Sequence, residues 1–350
     1  MPTSFTQLVG IELPVIQAPM AGSQGADLAI AVSNAGGLGS LPCALLSLDA
    51  LHAQLVTLTT GTSRPYNVNF FCHAEPLPDA GRQQAWRRAL QPYYEEFGIP
   101  EAEPPELPAR RPFSHEAAEV LAPFRPPVVS FHFGLPSEDL MATVHAWGSR
   151  VLSSATTVEE ALWLEAHGVD AIIAQGLEAG GHRGLFLSHD LTRQLGTMAL
   201  VAQVAGAVRV PVIAAGGIAD TAGVRAALAL GASAVQVGTT YLLCPEARTS
   251  AVHRAALGSP ATAHTALTNI FTGRPARSIV NRVMRELGPI SQLAPAFPQA
   301  ATALAPVRAK AESEGSSDFS PLWCGQNATG CRNVPAAAIT RALAGVPEPD

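Results

Sequence analysis

His182 sits in a run of mostly small residues, Glu178-Ala179-Gly180-Gly181-His182-Arg183-Gly184. With glycines on both sides, an imidazole can approach a flat ligand with little steric hindrance. A neutral imidazole so placed can take a proton α to an electron-withdrawing group, or hydrogen-bond an anion. A second chemical signal comes from Gly216-Gly217 and Gly238-Thr239. Their backbone N–H groups have no Cβ in the way, and Thr239 adds a hydroxyl. Such a set can cradle a phosphate without lysine or arginine. That phosphate can belong to a sugar phosphate or to FMN. The amides Asn69, Gln175 and Gln236, with the small residues Ala18, Ala21 and Gly22, favour FMN. A flavin ring takes flat apolar contact on its face and amide donors and acceptors on its pyrimidine edge. A phosphosugar lyase would need a lysine base or paired carboxylates. Glu178 is the lone carboxylate in these motifs, and it reads as a solvated loop residue.

Two further residues have two readings each. His132, between Phe131 and Phe133, reads equally as a satisfied core histidine or a ligand contact. Lys310 is the single lysine among 22 basic residues. It is either a surface residue of a helix over 300–314 or a compact point charge for a carboxylate or nitro anion.

These residues need a scaffold that brings distant segments to one face. Eight short apolar runs recur, at 15–19, 37–41, 67–71, 128–133, 150–154, 171–175, 210–215 and 234–238. They are β-rich and lack alternation, as strands of a parallel sheet buried on both faces do. Helical patterns lie between them, at 26–34, 158–167, 191–205 and 221–230. Thr157 with Glu160 predicts a capping box, and Asp220 an N-cap. The alternation predicts a (β/α)8 barrel, the α/β fold known as the TIM barrel, whose active residues sit at the C-terminal ends of the strands. Apart from Lys310, every chemical motif above falls at such an end.

A barrel takes about 250 residues, and the chain has 350. The excess lies in 72–126 and 245–350. The expected division is an FMN-binding barrel over 1–71 and 127–244, with 72–126 and 245–350 as a smaller, mostly helical lid and substrate domain at the C-terminal face. Charged residues are 14% of the chain, against a usual 25% or so. A chain this long and apolar buries a large core, which excludes disorder and a disulfide-stapled miniprotein. The net charge is −6 with no basic block, so a nucleic-acid footprint is absent. The first basic residue is Arg64, which fits neither a secretory signal nor a mitochondrial transit peptide. The uncharged stretch 28–48 could span a bilayer by length, but its Ser, Asn, Gly and Pro residues read as helix, turn and buried strand, so no membrane partner is expected. Five scattered cysteines without zinc or redox spacing suit a reduced, cytoplasmic protein.

At its motifs the chain resembles the class I nitronate monooxygenases, formerly called 2-nitropropane dioxygenases. The matching stretches are 15–22 (VIQAPMAG), 67–73 (NVNFFCH), 129–134 (VSFHFG), 178–184 (EAGGHRG), 215–218 with 236–239, 272–277 (TGRPAR) and 322–326 (LWCGQ). The resemblance runs from about residue 11 to 330. It implies an FMN-dependent barrel enzyme that oxidises alkyl nitronates, propionate 3-nitronate among them, with O2 and no nicotinamide. Carried over motif by motif, Asn69, Gln175, Gly180, Gly217, Gln236, Val237, Gly238 and Thr239 would hold FMN, and Met20 and Ala21 would touch the ring. His182 would be catalytic, with His132, Lys310 and Gln326 on the substrate side and no metal. The family usually offers pocket tyrosines. This chain has Tyr66, Tyr93, Tyr94 and Tyr241, and Phe297 stands where one is expected. An FMN- and NAD(P)H-dependent quinone or enoyl-thioester reductase, and a non-catalytic flavin or phosphometabolite binder, are the competing readings. Either a monomer or a homodimer is compatible with the sequence.

Overall fold

A computed structural model describes residues 4–77, 79–100 and 110–347. The strands are β1 (Val15–Gln17), β2 (Gly39–Pro42), β3 (Tyr66–Phe71), β4 (Val128–His132), β5 (Arg150–Ala155), β6 (Ala171–Gln175), β7 (Gly181–His182), β8 (Val212–Ala215), β9 (Ala234–Val237), β10 (Thr265–Thr268) and β11 (Ala276–Ile279). The helices are α1 (Phe5–Val9), α2 (Ala26–Asn34), α3 (Leu48–Gly61), α4 (Ala80–Glu96), α5 (His115–Leu121), α6 (Glu138–Ala146), α7 (Val158–Ala166), α8 (Thr197–Ala207), α9 (Thr221–Ala229), α10 (Ala251–Leu257), α11 (Arg282–Leu287), α12 (Ala300–Ser313) and α13 (Ala336–Ala344).

All eight apolar runs are strands of one parallel sheet, in the order β1-β9-β8-β6-β5-β4-β3-β2. The sheet closes between β1 and the start of β2. Gln17 N donates to Leu38 O at 3.0 Å, and Leu38 N donates to Val15 O at 2.9 Å. Closure removes the unpaired edge that an open sheet would present. Strand residues alternate between two apolar layers. Ile16, Leu38, Leu152, Ile173 and Ile213 cluster with Phe5, Val9 and Ile11 from the N-terminal segment. Val68, Val129, Phe131, Val151, Ile172 and Val235 pack with the surrounding helices.

The uncharged stretch 28–48 divides into α2, β2 and the start of α3, and no described helix is long and apolar enough to cross a membrane. The expected helix over 191–205 starts late. Asp190 turns the chain by accepting from Thr192 N and Oγ1, and α8 begins only after the Gly196 N-cap. The predicted capping box at Thr157 is half formed. Thr157 Oγ1 accepts from Glu160 N, but the buried Glu160 carboxylate turns elsewhere. It accepts from Thr156 N and Oγ1 and from Phe186 N, all at 2.7 Å.

The two excess segments meet in a second apolar core. Trp86, Leu90 and Tyr93 of α4 pack with Val283 and Met284 of α11, with Leu304 and Val307 of α12, and with Phe319. Trp86 Nε1 donates to Ala300 O at 3.1 Å, and Tyr94 Oη to Ala303 O at 2.6 Å. The antiparallel sheet β10-β11-β7 was not expected from the sequence, and it pairs His182 with Ala276. The last helix, α13, lies in the segment expected to form the lid. Its Ala336, Ile339 and Leu343 instead join the barrel's outer core.

Candidate active site

The C-terminal ends of the barrel strands open into a cavity with about 1380 Å³ of empty space, counting its open mouth. It is lined by Met20, Ala21, Asn69, Gln175, Gly180, Gly217, Gln236, Val237, Gly238 and Thr239, together with His132 and His182. Twelve of the fourteen site residues read from the sequence therefore converge, from segments more than 200 positions apart.

His182 sits on the short strand β7, held by β11. Its Nε2 lies 2.9 Å from Thr272 Oγ1. Its ring faces Trp323 at 5.3 Å and Phe297 at 5.4 Å between centroids, with Phe133 and Phe71 just beyond 6 Å. Burial holds its pKa well below the ordinary value, and the positive charges of Arg110 and Arg274 lower it further. His132 lies beneath. Its Nε2 is 3.2 Å from the His182 carbonyl, and its Nδ1 is 3.0 Å from Ser154 Oγ. A carbonyl can only accept, so Nε2 carries the proton and Nδ1 accepts from the serine. Burial brings the His132 pKa down to about 3, against a smaller upward pull from that carbonyl. His73, also buried, is brought down to about 4 by desolvation first. Three neutral imidazoles thus stand near two guanidiniums. Arg110 lines the cavity. Arg274 stacks 3.9 Å over the Phe133 ring, with its Nε buried and unpartnered. Among the described residues, no carboxylate lines this cavity. The site offers positive potential, aromatic faces and neutral bases, which suits an anionic or electron-rich substrate.

The loop that carries His182 is fixed from below. Gln175 Nε2 donates to the His182 carbonyl at 2.9 Å, and Gly184 N donates to Gln175 Oε1 at 2.8 Å. The Gln175 amide is thus committed to the loop at both ends, although it borders the cavity. Gly184 is required here, since a Cβ would lie 2.8 Å from His132 Cε1. Arg183 is fully buried and donates to the carbonyls of Gln175 and Gly176 at 2.8 and 2.6 Å. Phe133 adopts a left-handed conformation at φ 72°, a strain that recurs at functional sites. It turns the ring into the aromatic cage.

Gln236 lines this cavity, and its Oε1 is buried without a partner. An orphaned acceptor of this kind costs about 1–3 kcal/mol, and a ligand donor would relieve it. Gly216 and Gly217, at φ 121° and 71°, turn the chain where only glycine is comfortable. Ala18, Met20 and Ala21 give an apolar wall. These features fit a flavin ring and a phosphate.

Two expectations are not met. Lys310 lies on the exposed side of α12, with Nζ 2.7 Å from Glu314 Oε1, and does not line the cavity. The Gln326 side chain is exposed, whereas its neighbours Gly325 and Asn327 line the cavity. Glu178 is not simply solvated, because Thr197 N and Oγ1 both donate to its Oε2 at 2.7 Å. None of the four tyrosines lines the cavity. Sequence reasoning missed Arg110, Thr272, Arg274, Trp323 and Asn327 as neighbours of the site. Thr272 and Arg274 stood in a quoted motif, but no local pattern ties them to His182, 90 residues away.

A family model described as nitronate monooxygenase matches residues 3–343. The nitronate monooxygenase of Pseudomonas aeruginosa is 44% identical over 348 residues, covering 98% of each chain. Among solved structures, nitroalkane oxidase from Streptomyces ansochromogenes is similar with a TM-score of 0.88 at 39% identity, over 98% of this chain and 97% of that one. FabK from Thermotoga maritima is similar with a TM-score of 0.73 at 26% identity, over 98% and 95%.

Proposed function

The chain belongs to the nitronate monooxygenase family, and on that premise we propose that it oxidises alkyl nitronates with O2 through bound FMN, giving a carbonyl compound and nitrite. The observation that carries this reading is the charge balance of the cavity. Neutral His132 and His182 line the cavity with Arg110, neutral His73 packs behind against Phe297, and no carboxylate lines it among the described residues. A nitronate, already an anion with an electron-rich carbon, is stabilised there.

FMN would be held by Asn69, Gln236 and the backbone of Gly180, with its phosphate at Gly217, Gly238 and Thr239. Gln175 would serve it indirectly, by fixing the loop. FMN bound there would supply the redox chemistry, as acceptor of the nitronate's electrons and donor to O2. The chain's own residues bind and orient. Thr272 holds the His182 ring at Nε2. The aromatic cage of Phe71, Phe133, Phe297 and Trp323 excludes water and strengthens the attraction of the anion to nearby positive charge. His182 hydrogen-bonds a preformed nitronate. With a neutral nitroalkane, it takes the α-proton onto a ring nitrogen. Arg110, rather than Lys310, is the cation for a carboxylate on the substrate, which makes propionate 3-nitronate the favoured candidate.

The test begins with the flavin released by heating purified protein, which should chromatograph as FMN. Adding propionate 3-nitronate should then consume O2 and release nitrite. FAD, or no flavin after reconstitution, would sink the reading.

A further inference from the structure

The segment from Cys324 to Asn327 crosses the corner where the two glycine turns meet, and it hydrogen-bonds to three strand-end loops. Gln326 N donates to Glu178 O at 2.9 Å, after β6. Asn327 Nδ2 donates to Gly217 O at 3.0 Å, after β8. Gly325 N donates to Thr239 Oγ1 at 2.9 Å, after β9. The fit is tight, since a Cβ on Gly180 would lie 2.6 Å from Gly325 N. Gly325 and Asn327 both line the cavity.

The hydrogen-bond inventory gives this strap a chemical direction. Asn327 Oδ1 accepts from Thr329 N at 3.1 Å and from Thr329 Oγ1 at 2.7 Å. That fixes which end of the amide is the donor. A primary amide has two N–H bonds, and Gly217 O takes one. The second is left for an acceptor beside the Gly217 turn. Gly325 N occupies a lone pair of Thr239 Oγ1, which frees the threonine proton to donate. The strap thus supplies one donor and orients another at the same corner, without any negative charge of its own.

We propose that the strap is the third wall of the cofactor's phosphate site, and that Asn327 is a phosphate-binding residue. This rests on the FMN reading above. Asn327 recognises a phosphate monoester and contributes nothing to a flavin that lacks one.

The test compares FMN with riboflavin, the same ring system without the phosphate. Both are titrated by flavin fluorescence into the flavin-free full chain, for the wild type, Asn327→Ala and Asn327→Asp. Loss of one hydrogen bond to a charged phosphate predicts a rise of about tenfold to a hundredfold in the FMN dissociation constant for Asn327→Ala. Asn327→Asp keeps the shape and the Thr329 contacts, but removes the donor and sets a carboxylate against a dianion. It should raise the constant further than Asn327→Ala does. Riboflavin should bind both variants within about twofold of wild type, and that binding also shows that they are folded. If FMN binding is unchanged, or both flavins weaken alike, Asn327 is only a packing residue and the inference fails. If the wild type itself binds neither flavin, or binds both with equal affinity, the FMN phosphate corner fails first and the strap's role goes with it.

Discussion

His182 is enclosed by Phe71, Phe133, Phe297 and Trp323 and hydrogen-bonded to Thr272. Replacement by asparagine removes the base and keeps a polar group. General-base catalysis is worth about 10²–10⁴-fold, so His182→Asn should lose that much activity on neutral nitroalkanes. A preformed nitronate needs no proton removed and should keep part of its rate, with FMN still bound. O2 uptake on each substrate form decides; near-wild-type rates on both would make His182 a loop residue. Desolvation brings the His132 pKa to about 3 and holds that of His182 well below the ordinary value, so neither ring titrates near 6.5. Turnover of a preformed nitronate should therefore be flat from pH 6 to 8, and an inflection near 6.5 would contradict the assigned protonation. Arg110→Met should raise KM for a carboxylate-bearing nitronate about tenfold to a hundredfold, as for a lost charged hydrogen bond. KM for simple alkyl nitronates should stay within about twofold. Lys310→Met should alter neither, since that lysine pairs with Glu314 on an exposed helix face. His182 was legible because glycines flank it on a strand-end loop. Arg110 was not, because an arginine pair within a proline-rich run carries no periodicity and no motif.

Glu160 shows how one element supports another's chemistry. From α7 it accepts hydrogen bonds from Thr156, at the end of β5, and from Phe186, just past the His182 loop. Removing it leaves several buried donors unpaired, at about 1–3 kcal/mol for each. Glu160→Ala should cost about 3 kcal/mol or more by urea denaturation, and the residual folded enzyme should show a slower turnover from a looser loop. A loss below about 1 kcal/mol would mean that water replaces the carboxylate. The eight barrel strands were readable because strands buried on both faces are continuously apolar. The sheet of β10, β11 and β7 was not. β7 has two residues, and the pattern of β10, Thr-Ala-Leu-Thr, is too short and polar at its ends to separate from a turn. The sequence marked Thr157 and Glu160 correctly as a helix start, but local spacing could not show that the glutamate's better partners lie across the fold.

At the scale of the whole molecule, four histidines have lowered pKa values, His73 and His253 buried and His132 and His182 partly buried. His73 and His253 come down to about 4 and His132 to about 3, with His182 well below its ordinary value, and desolvation is the leading cause for each. The unfolded chain protonates them near pH 6.5, while the folded chain does not. Between those limits the unfolded state binds more protons, so stability is complete above about pH 6.5 and falls as the pH drops towards 4. The slope approaches about 1.4 kcal/mol per pH unit for each such histidine. Thermal melts from pH 7.5 to 4.5 should show a steep fall, which His132→Asn should make shallower. A flat profile would mean that the imidazoles protonate inside the fold. The barrel, the second core and the strap over residues 324–327 together build one anion-seeking cavity, and the central claim is that a nitronate, not a nicotinamide, delivers electrons to the flavin there. Anaerobic stopped flow on the FMN-loaded protein tests this most directly. The oxidised-flavin absorbance should be lost on mixing with propionate 3-nitronate, return on admitting O2, and not change with NADH or NADPH. Reduction by a nicotinamide with no response to the nitronate would contradict the claim.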